Sequence, residues 1–258
     1  MKVAIIGAGN MGSAIARGLV LGKLIKAANI TVANPTNKKL ESLKDFNKEL
    51  QVTNSNQIAV NDAEIVILAV KPWLIKEVID KLTFDFHKQI IVSVAAGIPF
   101  SEYEQWTDSS AKIFRVIPNT AISQQESMTL IASHNASKEE EHLILNLFSE
   151  MGMAILIPEK QMAAATAITS CGIAYVLKYI QAGMQAGIEM GLYPQDAMKM
   201  VAQSVKGAAT LILNNNTHPS VEIDKVTTPG GLTIKGINEL EHNGFSSAII
   251  KAMKASSN

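Results

Sequence analysis

The stretch Ile6-Gly7-Ala8-Gly9-Asn10-Met11-Gly12 indicates the fold class of this chain. It follows an apolar run at residues 3–6 and leads into an amphipathic run at residues 11–21, so it joins a predicted strand to a predicted helix. Glycines at this spacing are typical of dinucleotide sites, where they permit the tight turn, backbone approach to the pyrophosphate and close helix–strand packing. The helix N-terminus adds free N–H groups and partial positive charge. We expect a bound dinucleotide here; a glycine-rich turn without a ligand is the alternative.

Short apolar runs alternate with amphipathic runs over the first 157 residues. Runs that predict buried parallel strands lie at residues 3–6, 30–32, 65–70, 90–94 and 113–116. Predicted helices lie between them, at residues 11–21, 38–46, 75–82 and 100–106. Two further strands are expected at residues 128–132 and 154–157, flanking a helix that starts after Ser137 with the capping-box partner Glu140. This order predicts an α/β fold, with a Rossmann-like, doubly wound sheet in a dinucleotide-binding domain at residues 1–158.

Residues 159–258 differ in sequence pattern from the residues before them, and this pattern predicts an all-helical domain. Between residues 161 and 214 no stretch reads as a strand, and Gly183, Gly187 and Gly191 recur every four residues. On one helix face they would admit a close neighbour, either from a second subunit or from the same chain. Further on, a helix is expected from Pro194 to the 214–216 cluster, turns at 214–220 and 227–231, and helices at 232–242 and 246–255.

Composition narrows the class of protein. Lys+Arg and Asp+Glu both number 23, so no overall field favours nucleic acid or an anionic membrane surface. The single cysteine, Cys171, allows no intramolecular disulfide and no Cys-rich metal site, and the five histidines show no metal-ligand spacing. The early glycines interrupt the N-terminal apolar run, so a signal peptide is not expected. We therefore expect a cytoplasmic protein with no metal, no nucleic-acid partner and no membrane span.

The segment after the second predicted strand bears on the choice of cofactor. NAD enzymes carry Asp or Glu about 20 residues beyond the glycines, to hold the ribose hydroxyls. This chain has Asn34-Pro35-Thr36-Asn37-Lys38-Lys39, in which amide, hydroxyl and lysine donors suit a phosphate instead. We expect NADPH, with NADH as the alternative, and Thr36 and Lys38 as phosphate contacts; exposed helix residues are the other interpretation of the lysines. The strand ends at residues 69–72 and 94–97 are expected to line the ribose and nicotinamide.

Taken in order, these motifs resemble the pyrroline-5-carboxylate reductase family, which catalyses the last step of proline synthesis. The resemblance rests on residues 6–12, 69–72 and 94–97, on Arg115-Val116-Ile117-Pro118-Asn119-Thr120, and above all on Val226-Thr227-Thr228-Pro229-Gly230-Gly231-Leu232-Thr233. It covers nearly the whole chain. It implies NADPH-dependent reduction of 1-pyrroline-5-carboxylate to L-proline, and a nucleotide-binding domain followed by a helical dimerisation and substrate domain. It also implies interlocked homodimers that associate further.

The resemblance also implies roles for individual residues. Cofactor contacts would come from Ile6, Gly7, Ala8, Gly9, Asn10, Met11, Gly12, Asn34, Asn56, Ala69, Val70, Lys71 and Pro72, with Val94, Ala95 and Ala96 nearby. Thr233, the catalytic candidate, would bond the ring nitrogen, and the backbone of Gly230, Gly231 and Leu232 would bind the carboxylate. Glu159 and Asn119 are further substrate candidates. The substrate loop would come from the partner subunit.

The chemistry of a cyclic imine suits such a loop. A protonated imine is a strong hydride acceptor, so the protein has mainly to orient cofactor and substrate. Free N–H groups and the helix dipole after Pro229 attract a carboxylate without a basic side chain. The Thr233 hydroxyl can both donate and accept a hydrogen bond. Without the family match, a plain turn before a helix explains this segment equally well.

The chain departs from the family pattern close to the expected substrate pocket. Thr169-Ser170-Cys171-Gly172-Ile173-Ala174 stands where the family usually has Ser-Gly-Ser-Gly-Pro-Ala, and Ala121 and Ala163 replace a usual proline and acidic residue. The alternatives are therefore a diverged imine reductase, a β-hydroxyacid-type dehydrogenase, or a non-catalytic NADP-binding regulatory paralogue. The dehydrogenase needs a catalytic lysine on the long helix, and Lys178 is the only lysine between residues 161 and 198.

Overall fold

A computed structural model describes residues 1–257. The chain forms two compact units, Met1–Ser170 and Cys171–Asn258. The strands of the first unit are β1 (Val3–Ile6), β2 (Ile30–Ala33), β3 (Gln51–Thr53), β4 (Ile65–Leu68), β5 (Ile90–Ser93), β6 (Lys112–Ile117), β7 (Ser127–His134) and β8 (Gly152–Leu156). Its helices are α1 (Asn10–Leu21), α2 (Asn37–Phe46), α3 (Asn56–Val60), α4 (Ile75–Asp80), α5 (Phe100–Trp106), α6 (Lys138–Ser149) and α7 (Met162–Thr166).

All eight strands form one sheet in the order β3-β2-β1-β4-β5-β6-β7-β8. Strands β1 to β6 are mutually parallel, β7 is antiparallel to β6, and β8 is parallel to β7. The chain winds outward from β1 in one direction and, from β4 onward, in the other. The doubly wound class predicted from the sequence is therefore confirmed, and the switch point lies between β1 and β4.

The core explains why the strands read as continuous apolar runs. Successive side chains of a strand point to opposite faces of the sheet. Ile5 and Ile67 belong to one buried cluster, whereas Ile6 and Leu68 belong to the other. Because both faces are covered, every position of β1 and β4 is buried. Each fully buried isoleucine contributes about 1.5–3 kcal/mol of transfer free energy.

The second unit consists of α8 (Gly172–Glu189), α9 (Pro194–Asn215), α10 (Pro219–Val226), α11 (Leu232–His242) and α12 (Phe245–Ala255). A Cβ on Gly183 would lie 3.0 Å from Val201, and one on Gly187 would lie 2.9 Å from the Cβ of Ala197. Both glycines thus face α9 of the same chain, as the intrachain alternative predicted. Gly191 does not extend this helix face, because it follows α8 with a φ of +93°.

The interior of the second unit is sparse. Among residues 171–257, only Gly172, Gly187 and Ala197 are buried. Large apolar side chains such as Leu177, Tyr193 and Leu213 are about half exposed or more. One continuous helical stretch, Glu159–Glu189, has the length and apolar composition of a membrane span, although only 11% of its most apolar window is buried within the chain.

Three parts of the structure differ from the sequence predictions. Strand β3 and helix α3 were not predicted, and the turn expected at residues 214–220 ends where α10 begins at Pro219. The reason for the last difference is that Pro219 occupies the first helical position, where a missing N–H costs nothing. The domain boundary predicted after residue 158 precedes the division between the two units and remains a prediction.

Candidate functional site

The glycine-rich turn has the geometry that each glycine requires. Gly7 adopts a φ of +105°, and a Cβ there would lie 2.7 Å from the carbonyl oxygen of Ala69. A Cβ on Gly12 would lie 1.9 Å from the carbonyl oxygen of Gly7, so α1 packs directly on the turn. Around Gly9 no atom lies within 4 Å of the Cβ position. The turn is therefore tightly packed at Gly7 and Gly12, whereas the space beside Gly9 is empty.

The start of α1 can receive an anion. Its N-cap, Gly9, supplies no side-chain hydrogen bond, and the first turn carries no acidic residue. The first N–H groups of a helix lack intrahelical partners and carry partial positive charge. Asn10 is exposed and Met11 half-buried in this turn. An open backbone at Gly9 and an uncapped helix start together fit the pyrophosphate of a dinucleotide.

The predicted cofactor segments meet at one edge of the sheet. They follow the carboxyl ends of β1, β2, β4 and β5, which the sheet order brings side by side. Backbone bonds extend this edge beyond the strands: the Ala69 N–H donates to the Ile6 oxygen at 2.8 Å, and the Val94 N–H to the Leu68 oxygen at 3.1 Å. Ligands of open α/β sheets bind in this crevice at the switch point. The predicted cofactor contacts at this edge are Ile6 to Gly12, Asn34, Asn56, Ala69 to Pro72, and Val94 to Ala96.

Asn34 braces this edge with its whole side chain. Its Oδ1 accepts the Ala8 N–H at 3.0 Å, and its Nδ2 donates to the oxygen and to Oγ1 of Thr36 at 3.0 and 2.9 Å. Asn54 donates to the backbone oxygen of Asn34 at 3.0 Å. The amide of Asn34 is thus engaged within the protein. The exposed Thr36 hydroxyl and the exposed Lys38 and Lys39 are donors that face solvent.

The start of α2 carries only neutral and positive groups. Asn37, Lys38 and Lys39 form its first turn, which has no acidic residue and no side-chain cap. Neither lysine forms an ion pair within residues 1–257. Such a surface, which carries no carboxylate, can accept a phosphate group. It is the electrostatic pattern predicted from the sequence.

The segment after β4 is exposed beside the crevice. Pro72 begins a short 3-10 turn, and the Lys71 ammonium lies 5.9 Å from the centre of the Trp73 ring. Asn56, half-buried, begins α3 just beyond β3, and Ser55 caps that helix by accepting the Ile58 N–H at 3.3 Å. Both segments therefore lie at the predicted edge.

Glu159 and Asn119, the two substrate candidates of the first unit, are already bonded to the protein. Glu159 pairs with the buried Arg115 of β6, and its Oε1 also accepts the Phe100 N–H at 2.7 Å. The side chain of Asn119, which is 7% exposed, accepts the Ala121 N–H and donates to the Thr169 oxygen. These two bonds fix the orientation of the Asn119 amide and leave one lone pair of Oδ1 and one N–H of Nδ2 for a substrate.

The loop before α11 lies in the second unit, apart from the cofactor segments in the chain. Gly230 has a φ of +71°, and the Gly231 N–H donates to the Thr228 oxygen at 2.9 Å. Helix α11 starts at Leu232 with no side-chain cap and no acidic residue in its first turn. Leu232 is 85% exposed, and Thr233 is exposed as well. The first N–H groups of α11 thus lie free next to the Thr233 hydroxyl, as a carboxylate site requires, whereas the Gly231 N–H is bonded within the loop.

Sequence reasoning missed several polar residues that shape the crevice. Ser13 donates to the Ala8 oxygen at 2.9 Å, and Asn54 fixes the 34–37 turn. A hydroxyl in the first turn of a helix and an amide next to a strand end are weak signals of such roles. Within residues 1–257 no three His, Cys, Asp or Glu side chains are grouped as a metal site would require.

Two family models match the chain. Residues 2–97 match the model described as NADP oxidoreductase coenzyme F420-dependent. Residues 159–258 match the model described as pyrroline-5-carboxylate reductase dimerisation. The second match starts where the helical domain was predicted to start.

Relatives match over nearly the whole chain. Pyrroline-5-carboxylate reductases 1 and 2 of Dictyostelium discoideum are 40% and 38% identical to it, over 99% and 98% of the chain. The chain spans about half of the first relative's length (48%) and 89% of the second's. The pyrroline-5-carboxylate reductase of Methanosarcina acetivorans is 34% identical over 98% of the chain and 94% of that relative.

Solved structures of pyrroline-5-carboxylate reductases have the same fold as this chain. Plasmodium falciparum pyrroline carboxylate reductase, solved with NADP bound, superposes with a TM-score of 0.90 at 28% identity. The alignment covers 100% of this chain and 95% of that one. A pyrroline-5-carboxylate reductase from Coxiella burnetii gives a TM-score of 0.89 at 29% identity, covering 100% and 96%.

Proposed function

The chain belongs to the pyrroline-5-carboxylate reductase family, and on that basis we propose that it reduces 1-pyrroline-5-carboxylate to L-proline with NADPH. The observation that carries the proposal is the loop before α11. There an uncapped helix start after two glycines stands next to the Thr233 hydroxyl. A diverged regulatory protein would need neither feature, whereas an imine carboxylate uses both.

The cofactor site is assigned on the glycine-rich turn. We propose that the open backbone at Gly9 and the first N–H groups of α1 hold the pyrophosphate. The Thr36 hydroxyl and Lys38 would hold the additional phosphate, which favours NADPH over NADH. When bound, NADPH supplies the hydride. The segments at Lys71 and at Val94 would flank its nicotinamide end.

The substrate site is assigned on the loop of α11. The backbone of Gly230, Gly231 and Leu232 would hold the carboxylate without a competing polar side chain, and the Gly231 N–H would exchange its bond to the Thr228 oxygen for one to the carboxylate. The Thr233 hydroxyl would bond the ring nitrogen. As the carbon of the protonated imine accepts hydride, the C=N π electrons become the lone pair of the proline nitrogen, which keeps its proton, so the nitrogen needs a partner on both sides of the step. A hydroxyl serves as such a partner because it both accepts and donates.

The same assignment gives Glu159 and Asn119 supporting roles. Glu159 contributes one carboxylate oxygen to Arg115 and the Phe100 N–H, and its side chain remains 36% exposed. It would act on the substrate through its second oxygen. Asn119 would act by fixing the Thr169 carbonyl, in the segment that departs from the family pattern.

We propose that the protein works as an interlocked homodimer that associates further, and that it is cytoplasmic. The helical unit exposes apolar side chains along α8, including Val176 and Leu177 at 44% and 58%. The match to a dimerisation model over the same residues supports a second copy as the cover. The composition with a single cysteine supports the location.

The test is NADPH oxidation by the purified protein with 1-pyrroline-5-carboxylate, compared with Thr233→Ala. Loss of a hydrogen bond to a developing or vanishing charge lowers kcat by about 10- to 100-fold. The matched control is Thr83→Ala, which removes an exposed threonine before β5, at the opposite edge of the sheet, and should leave turnover unchanged. No turnover in the native protein, with NADPH still bound, would refute the proline assignment and favour a diverged imine reductase or a sensor.

A further inference from the structure

A buried pair of hydroxyl groups lies below the loop that follows β5. Tyr103, on α5, is 0% exposed, and its phenol donates to Ser93 Oγ at 2.5 Å. Ser93 is the last residue of β5 and is also fully buried. Its Oγ accepts in turn the backbone N–H of Ala95 at 3.3 Å. The phenol is thus connected to the strand-end loop at residues 94–97 by two hydrogen bonds.

The helix that carries the phenol is itself fixed at its start. Glu159 accepts the N–H of Phe100, the first residue of α5, and pairs with Arg115 of β6. Arg115 lies directly opposite Ser93 in the pairing of β5 with β6. Helix α5 is therefore tied to β6 at its N-terminus, through Glu159 and Arg115, and to β5 at Tyr103. The position of the phenol is set by the fold and not by a flexible side chain.

The protonation state of the phenol suits a permanent donor. Burial raises the pKa of Tyr103 above its ordinary value, while the bond to Ser93 and the Arg115 charge act in the opposite direction. The group therefore stays neutral at physiological pH and keeps donating. Ser93 Oγ therefore accepts two hydrogen bonds, one from the Tyr103 phenol and one from the Ala95 N–H.

We propose that Tyr103 is a positioning residue, which sets the Val94–Ala96 loop against the nicotinamide half of the cofactor through Ser93. The proposal rests on the proposed function, in which that loop flanks the nicotinamide. In a doubly wound sheet the adenine half of a dinucleotide lies over the β1–β2 side of the switch point and the nicotinamide half over the β4–β5 side. Loss of the phenol should thus loosen one half of the site only. A purely structural hydroxyl pair would instead affect stability and both halves alike.

The experiment compares a ligand that contains both halves of the cofactor with one that contains only the adenine half. Binding of NADPH and of 2′,5′-ADP, which lacks the nicotinamide half, is measured by calorimetry for the native protein, Tyr103→Phe and Ser93→Ala. We expect the Kd of NADPH to rise about 3- to 10-fold in both variants, as for one lost hydrogen bond. The Kd of 2′,5′-ADP should stay within about 2-fold, and the double variant should bind no more weakly than the weaker single variant.

Ser133→Ala is the matched control. It removes the partly buried hydroxyl of a β7 residue, which bonds Glu141 of α6 at 2.6 Å and lies two strands from β5, outside the hydrogen bonds that fix the loop. It should lower stability without changing either Kd. In steady-state kinetics Tyr103→Phe should raise the KM for NADPH and leave the KM for the imine unchanged.

Unchanged NADPH affinity in Tyr103→Phe and Ser93→Ala would overturn the positioning role while leaving the proposed function intact. Equal weakening of NADPH and 2′,5′-ADP would overturn it as well, since the effect would then be global. A native protein that binds neither ligand would refute the proposed function and this role together.

Discussion

Gly9 and Gly12 offer a matched pair of substitutions with opposite expected outcomes. Gly9 has a φ of −64° and a ψ of −173°, which alanine adopts without strain, and nothing lies within 4 Å of its Cβ position. A methyl group there would stand in the open space assigned to the pyrophosphate. At Gly12 the methyl group would instead lie 1.9 Å from the carbonyl oxygen of Gly7. One substitution therefore affects the ligand and the other the fold.

The magnitudes follow from this geometry. Alanine is a poorer N-cap than glycine by several tenths of a kcal/mol, and reduced freedom of the unfolded chain offsets about the same amount. Since about 1 kcal/mol shifts the Tm by about 2–4 °C at this chain length, Gly9→Ala should leave the Tm within about 2 °C of the native value. Gly12→Ala forces overpacking that costs about 1–3 kcal/mol, so the Tm should fall by about 2–12 °C.

The assay combines thermal unfolding with NADPH titration. We expect Gly9→Ala to raise the Kd of NADPH by at least about 10-fold, a loss of about 1.4 kcal/mol, with a native Tm. Gly12→Ala should lower the Tm even without ligand. Native affinity in Gly9→Ala would refute the reasoning, because the pyrophosphate would then not approach the backbone at this residue.

Two further predictions concern stability. Gly187→Ala should destabilise the protein by about 1–2 kcal/mol in denaturant unfolding, because its Cβ would lie 2.9 Å from a side chain of α9; Gly207→Ala, with nothing within 4 Å, should instead gain about 0.5–1 kcal/mol of helix propensity, and equal effects would contradict this packing. Burial alone would raise the pKa of Glu140, but the hydrogen bonds from Lys112 and from the Ser137 N–H outweigh it and lower that pKa. The stabilisation is therefore present above the ordinary glutamate pKa and lost as the pH falls through the folded-state pKa. Glu140→Gln should cost about 1 kcal/mol at pH 7 and nothing at pH 2, whereas a loss that persists in acid would exclude the ion pair as its source.

The strands of the sheet were predictable because both faces are covered. Residues 3–6 form β1 as predicted, and the helix at residues 100–106 has its predicted bounds. Strand β3 was not predictable from the sequence, because Gln51–Thr53 is only three residues long, lies at the sheet edge and has exposed or half-buried side chains. Its only apolar residue is Val52, so it leaves no apolar run, unlike the other edge strand, β8, in which residues 153–156 are all apolar. Its existence follows from its pairing with β2, which sequence alone does not give.

The candidate site was predictable where backbone conformation restricts the residue type. Gly7 is required by a positive φ and Gly12 by close packing, so glycine marks both in the sequence. The network of Tyr103 and Ser93 carries no such mark, because an isolated tyrosine on a short helix looks like any core residue. The engagement of Asn34 with the turn was also outside the reach of the sequence, as it depends on a contact between residues 26 positions apart.

The sparse interior of the second unit has a consequence for heat resistance. A segment of this length that buries only Gly172, Gly187 and Ala197 within its own chain gains too little to offset the entropy of ordering five helices. Its folding must then draw on contacts made after subunits meet. In such a protein the stability of the helical unit depends on the subunit concentration by mass action. Dilution therefore lowers the melting temperature of the helices and leaves that of the sheet unchanged. Two preparations of identical sequence would differ in thermal tolerance through their concentration alone.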